Sequence, residues 1–301
     1  MRIGMVGLGR MGANMTTRLI RGGHDVVVFD INEDAVKTSA DGGAEPATSL
    51  DDLVSRLDGP KTVWVMVPSG DITEQTIERL GALLSEGDSV IDGGNSRFTD
   101  SIRRAESLGT RGISLLDSGT SGGIWGLEGG YCLMVGGEEA AFARVEPILQ
   151  TLAPDDGYAH VGTSGAGHFT KMVHNGIEYA LMQAYGEGFE LLHDSEFELD
   201  TAQIAELWRH GSVVRSWLLD LAADAFEGDH DLESVAPYIE DSGEGRWTLN
   251  YAIEHAIPVP TIATALFARF ASRQDASFAG KVIAALRKEF GGHETRTPSG
   301  E

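Results

Sequence analysis

The chain of 301 residues contains a single cysteine, Cys132, which excludes an internal disulfide and any metal site built from several thiolates. No His/Asp/Glu cluster has metal-ligand spacing either, so no bound metal is expected. No apolar run reaches the roughly 18 residues of a membrane helix. A secretory leader is not expected, because residues 2–7 (RIGMVG) already read as a buried strand. These features predict a cytoplasmic chain with no membrane partner. Positive charge is also short: 23 Lys+Arg stand against 46 Asp+Glu, a formal net charge of −23. That argues against nucleic acid as a partner, since binding a phosphate backbone needs a basic footprint.

The scarcity is sharpest for lysine. Lys37, Lys61, Lys171, Lys281 and Lys288 are the only lysines, and the other 18 basic residues are arginines. Acid excess with lysine depletion resembles the composition of proteins from extreme halophiles. Multimolar salt shortens the Debye length to about 3 Å or less. Self-repulsion is then screened, and hydrated carboxylates keep the protein dispersed. What is plentiful is apolar residues: at 42% they are too many for a disordered chain and enough for proper cores. The length suits two domains of ordinary size.

The first half alternates apolar runs with polar, helix-like segments. Strands are predicted over 2–7, 25–30, 61–67, 88–92, 112–117 and 131–135, with helices near 10–22, 34–40, 49–56, 72–85, 97–108 and 138–151. Several runs are continuously apolar, as in a parallel sheet buried on both faces. The pattern predicts an α/β, Rossmann-type doubly wound domain over 1–164. From about 166 strand signals stop. A long helix over 166–194 and helices near 200–210, 213–226, 246–255, 259–273 and 276–290 predict an all-α domain over 165–301. The Gly-rich stretch 162–168 is the expected hinge.

Gly7-Leu8-Gly9-Arg10-Met11-Gly12 has the form G-x-G-x-x-G between a first strand and a first helix, the context a dinucleotide loop requires. The first glycine makes the tight turn, the second admits the pyrophosphate, and the third lets helix pack on strand. Asp30 closes the second strand. A carboxylate there accepts hydrogen bonds from ribose hydroxyls and repels a 2′-phosphate, at about 4 kcal/mol for like charges near 4 Å and an effective dielectric of 20. NAD is therefore the expected cofactor in preference to NADP, although Arg10 in the glycine loop offers a cation. Val67, Pro68 and Asn95 follow the next two strands on the same side, where a doubly wound sheet binds its ligand. Asn95 can bridge cofactor and substrate, or be a plain turn residue.

Asp117-Ser118-Gly119-Thr120-Ser121-Gly122-Gly123 ends the fifth strand, and its glycines can present backbone N–H groups to a carboxylate. In the long helix Lys171, His174, Asn175 and Glu178 fall at i, i+3, i+4 and i+7, hence on one face, with Tyr179 beside them. The face mixes donors, acceptors and an acid–base pair. A lysine can serve as base once burial and nearby positive charge lower its pKa. The bland alternative is a structural Lys–Glu helix pair.

The segments GLGRMG, DGGNS, LLDSGTSGGIWGLEGGYCLMVGG and GHFTKMVHNGIEYALMQ together resemble decarboxylating 6-phosphogluconate dehydrogenase, in its short form, within the β-hydroxyacid dehydrogenase superfamily. The resemblance runs from Met1 to about His293. It implies that Lys171 takes the proton of the substrate's C3 hydroxyl as hydride leaves C3. CO2 is then lost, and Glu178 protonates C1 of the enediol. It places Asn95, Ser121, Gly122, Gly123, His174 and Asn175 on the sugar acid, and Tyr179, Arg269, Arg287 and His293 on its phosphate. Arg287 and His293 would come from a neighbouring subunit, which implies a homodimer or homotetramer with a shared site. Two departures stand out. The long form's lysine-rich phosphate loop is replaced by Asp241-Ser242-Gly243-Glu244-Gly245-Arg246, which leaves Arg246 as its one cation. The long form's Asn-Arg-Thr for a 2′-phosphate is Asp30-Ile31-Asn32 here, in keeping with NAD.

Two other readings compete. One is a β-hydroxyacid dehydrogenase for a small unphosphorylated acid such as 3-hydroxyisobutyrate. It would share Lys171 and Asn175 but has no need of His174, Glu178 or the Arg287/His293 pair. The other is a catalytically silent NAD sensor, against which the complete acid–base set speaks.

Overall fold

Short β-branched runs form the strands of one eight-stranded sheet in this computed structural model, which describes residues 1–291 and 294–296. The strands are β1 (Arg2–Val6), β2 (Asp25–Phe29), β3 (Glu45–Pro46), β4 (Thr62–Val65), β5 (Ser89–Asp92), β6 (Ser114–Ser121), β7 (Cys132–Gly136) and β8 (Tyr158–Gly162). The helices between them are α1 (Arg10–Arg21), α2 (Glu33–Asp41), α3 (Leu50–Ser55), α4 (Asp71–Leu83), α5 (Phe98–Gly109), α6 (Gly126–Gly129) and α7 (Glu139–Leu152). Beyond β8 the described chain is helical: α8 (Ala166–His193), α9 (Thr201–Trp208), α10 (Trp217–Gly228), α11 (Glu244–Glu254), α12 (Pro260–Ala271) and α13 (Phe278–Gly291).

The strand order is β3-β2-β1-β4-β5-β6-β7-β8, so the direction of winding reverses between β1 and β4. That reversal opens the crevice in which doubly wound sheets bind nucleotides. Alternation along each strand supplies both cores. Val26, Val28, Trp64, Ile91 and Leu116 face α1 and α7, meeting Met15, Leu19, Val145 and Ile148. Val27, Val63, Val65, Val90 and Leu115 face the other way, meeting Leu53, Ile77, Leu80 and Leu108 of α3, α4 and α5. Each such fully buried side chain stabilises the fold by roughly 1.5–3 kcal/mol.

The sheet departs from the all-parallel expectation at one place: β6 and β7 pair antiparallel, Ser121 opposite Cys132. A parallel partner would need a longer crossover than residues 122–131 provide. β8 pairs with β7 outside the predicted strand set. Its half-exposed burial pattern explains why it carries no apolar run.

The chain divides into two compact units, Met1–His174 and Asn175–Glu301, and the division falls inside α8. The stretch expected to hinge is pinned within the first unit. Asp117 Oδ1 accepts the Gly165 N–H at 2.7 Å and Oδ2 the His168 N–H at 2.8 Å. In the second unit Phe189, Ala205, Leu219 and Ala223 form one cluster, and Tyr179, Ala265 and Leu266 another. Among the described residues no helix is long and apolar enough to cross a membrane.

Candidate active site

The three glycines of the first loop differ in what surrounds them. Gly7 has φ 93°, and a Cβ there would lie 2.3 Å from the Met66 carbonyl oxygen. At Gly12 a Cβ would lie 2.0 Å from the Gly7 carbonyl oxygen, so only glycine lets α1 seat on β1. At Gly9 a Cβ would meet nothing within 4 Å. The first and third glycines thus serve chain packing. The second leaves open space in front of the α1 N-terminus, where the helix dipole and backbone N–H groups favour a pyrophosphate. The residues present therefore fit a dinucleotide.

Asp30 does more than the sequence suggests. Its Oδ2 accepts the Leu8 N–H at 2.5 Å and its Oδ1 the Asn32 N–H at 2.8 Å. The carboxylate holds the glycine loop against the end of β2, and each oxygen keeps a lone pair for a ribose hydroxyl. Arg10 is exposed at the start of α1. Val67 and Pro68 follow β4, and the Pro68 carbonyl accepts the Thr73 hydroxyl at 2.8 Å. Asn95 is half-buried in the loop after β5.

Lys171 and His174 lie in the first unit, and β6 fixes both. A Cβ on Gly119 would fall 2.4 Å from Lys171 Cβ and 2.7 Å from the Gly167 carbonyl oxygen, so the lysine stem crosses the strand where a side chain is missing. His174 Nε2 lies 3.3 Å from Ser121 Oγ, which joins the lysine helix to the Ser-Gly-Gly loop. Gly122 and Gly123 have φ of 133° and 53°, a backbone path that only glycine follows readily. Asp117 is fully buried, and that burial raises its pKa. The backbone N–H donors of Gly165 and His168 work against the rise.

Asn175, Glu178 and Tyr179 continue along α8 in the second unit. Tyr179 is buried, with the Arg269 guanidinium 3.6 Å above its ring centroid. Arg269 Nη1 donates to the Glu240 carbonyl oxygen at 2.8 Å. Arg246 pairs through two nitrogens with Asp241 at 2.8 and 3.1 Å, and Arg273 reaches the same carboxylate at 2.9 Å. Both guanidiniums lie over Phe270, so three arginines gather around two aromatic rings and one carboxylate. Of these, Arg273 escaped the sequence reading. Arg287 is exposed on α13. His293 lies outside the described residues.

The sequence reading also missed a buried ionic knot under the cofactor loops: Arg104, Asp92, Ser96 and Glu74. Its signal was an arginine standing on the buried stripe of α5, between Ser101 and Leu108.

A family model described as the NAD binding domain of 6-phosphogluconate dehydrogenase matches residues 2–163, and one described as the C-terminal domain of 6-phosphogluconate dehydrogenase matches 167–294. An NAD(+)-dependent, decarboxylating 6-phosphogluconate dehydrogenase of Haloferax volcanii is 47% identical over 296 residues, covering 98% of each chain. The solved Plasmodium falciparum 6-phosphogluconate dehydrogenase superposes with a TM-score of 0.83 at 25% identity, over 100% of this chain and 67% of that one. A Mycobacterium tuberculosis 3-hydroxyisobutyrate dehydrogenase has the same fold, with a TM-score of 0.73 at 23% identity, over 95% of this chain and 99% of that one.

Proposed function

The chain belongs to the 6-phosphogluconate dehydrogenase family, and from that premise we propose how its residues divide the work. The reaction is the oxidative decarboxylation of 6-phosphogluconate to ribulose 5-phosphate and CO2 with reduction of NAD. Bound NAD supplies the acceptor for the hydride that leaves C3. Gly7, Leu8, Gly9, Arg10, Met11 and Gly12 hold its phosphates, Asp30 its ribose, and Val67, Pro68 and Asn95 the remaining contacts.

Lys171, as the neutral amine, takes the proton of the C3 hydroxyl. The product is a 3-keto acid, whose C1–C2 bond breaks as CO2 leaves and its electron pair passes into an enolate. Protonated Lys171 returns its proton to the C3 oxygen, giving an enediol. Glu178 then protonates the terminal carbon, and the enediol hydroxyl gives its proton back to Lys171, leaving the ketone. Ser121, Gly122 and Gly123 hold the carboxylate, and His174, Asn175 and Asn95 hold the hydroxyls. Tyr179 and Arg269 meet the phosphate, joined by Arg287 and His293 of a neighbouring subunit in a homodimer or homotetramer. Arg246 and Arg273, gripped by Asp241, add cations beside Arg269 where the long form's lysine loop is missing. Guanidinium forks suit phosphate oxygens.

The observation that carries this assignment of roles is the Ser121–His174 contact beside Lys171, which brings the Ser-Gly-Gly loop to the lysine helix. The test is absorbance at 340 nm in about 2 M KCl, a level set by the need for screening. The protein receives 6-phosphogluconate with NAD, then with NADP, while CO2 is followed in parallel. Reduction of NAD with matching CO2 is expected, and Lys171→Met should turn over at least about 10²-fold slower while still binding ligand. Near-normal turnover by that variant removes Lys171 from the mechanism.

A further inference from the structure

No step above uses the buried arginine of α5. We propose that Arg104 is a positioning residue for the cofactor side of the site, tying the loop after β4 to the loop after β5 and so fixing Asn95.

The Arg104 side chain is 4% exposed. Its Nε donates to Glu74 Oε2 at 2.8 Å, and its Nη1 donates to Asp92 Oδ2 at 3.1 Å and Ser96 Oγ at 3.3 Å. Asp92 is the last residue of β5 and fully buried. Its Oδ1 accepts the Gly94 N–H at 3.2 Å and its Oδ2 the Ser96 hydroxyl at 2.8 Å. Both neighbours of Asn95 are thus fastened to one carboxylate, Gly94 by its backbone N–H and Ser96 by its hydroxyl, and Arg104 fastens that carboxylate.

The other end of the tie is Glu74, in the first turn of α4. That helix follows directly on Val67-Pro68, and Thr73 beside Glu74 hydrogen-bonds the Pro68 carbonyl. The two loops also approach each other closely, since a Cβ on Gly94 would lie 3.1 Å from the Val67 carbonyl oxygen. Arg103 closes the knot with two bonds to Glu74 at 2.6 and 2.7 Å. Arg103 is itself half exposed and also reaches Asp100 at 3.5 Å, so it closes the knot from the solvent side, while Arg104 alone meets the buried Asp92. A buried ion pair is a poor source of net stability, because desolvation offsets its attraction. What this one supplies is a fixed geometry for two loops that meet the same ligand.

The inference rests on the reading of Asn95 as a cofactor and substrate contact, and the test separates the two. NADH affinity by fluorescence titration, and kcat with 6-phosphogluconate, are measured at one high KCl concentration for wild type, Arg104→Gln, Asn95→Ala and the double variant. Arg104→Gln should weaken NADH binding about tenfold or more, the scale of a lost charge-assisted hydrogen bond, and lower kcat. Adding Asn95→Ala to it should cost little more, because residues that act as a unit are not additive. Arg104→Lys, which keeps the charge but loses the fork, should fall between. If Arg104→Gln does not fold, Ser96→Ala removes one link alone and should act in the same direction. NADH affinity and kcat within about twofold of wild type, or effects that multiply independently with those of Asn95→Ala, overturn the proposal. So does a lowered melting temperature with unchanged NADH affinity. Because the titration contains no sugar acid, failure to oxidise 6-phosphogluconate would sink the functional reading while the binding arm still judges Arg104.

Discussion

At the scale of single residues, the site depends on atoms that are absent. Gly119 sits in β6 where a methyl group would overlap both Lys171 Cβ and the Gly167 carbonyl. Neither is the tip of a flexible chain, so Gly119→Ala has to push α8 away from the strand. Overpacking of this kind costs about 1–3 kcal/mol. Displacing a catalytic group by about 1 Å costs on the order of 10²-fold in rate. The expected outcome is a kcat lowered at least about tenfold with NADH affinity retained, because Gly7, Gly9 and Asp30 lie elsewhere. Steady-state kinetics beside a fluorescence titration checks it. The glycines of the first loop were legible in the sequence because their spacing follows from a tight turn, room for a pyrophosphate and a helix packed on a strand. Gly119 was not, because its partner is some fifty residues away in the chain and no local pattern announces a helix passing overhead.

At the scale of elements, two helices of the first unit, α3 and α4, begin on carboxylates that arginines hold ionised. Glu74 in the first turn of α4 is pulled down to about 2 from its ordinary 4.5, chiefly by hydrogen bonds from Arg103 and then Arg104. Asp52 in the first turn of α3 is also drawn to about 2, chiefly by Arg56. A carboxylate with a depressed pKa stabilises the folded state above its unfolded pKa, and that stabilisation is lost as pH falls through the folded value. The melting temperature should therefore drop between about pH 4.5 and 2 at fixed salt. Glu74→Gln should show a shallower drop than wild type, and identical slopes would mean that Glu74 does not couple folding to protons. These helices were readable from their amphipathic pattern between apolar runs, and their first-turn acids complement the helix dipole. Strands were readable where they were buried on both faces, as in Val26-Val27-Val28. β8 was not, because an edge strand with half its side chains in solvent carries no apolar run. The pinned start of α8 was also hidden: Asp117 reads as the first residue of a loop, yet acts as a remote cap for a helix that begins at Ala166.

At the scale of the whole molecule, charge decides the conditions in which the site works. The substrate brings a carboxylate and a phosphate of about −1.5 to −2 toward a chain of formal charge −23. The cations proposed to meet it are local: Arg246, Arg269 and Arg273 gather around Tyr179 and Phe270, with Asp241 between Arg246 and Arg273. Salt distinguishes these two fields. Repulsion from the distant carboxylates acts over more than a Debye length and is screened almost completely in molar salt, whereas contact pairs are screened much less. Raising KCl from about 0.1 M toward 2 M should therefore lower the KM for 6-phosphogluconate instead of raising it, as simple competition for the arginines would. The same screening supports folding, because self-repulsion destabilises a compact state of high charge. In dilute buffer, loss of the circular dichroism signal and of activity should coincide, and both should return with salt if unfolding is reversible. Full activity at about 0.1 M salt after prolonged dialysis would sink this account. A KM that rises with KCl in folded protein would show that the arginine cluster, not the global field, sets substrate affinity.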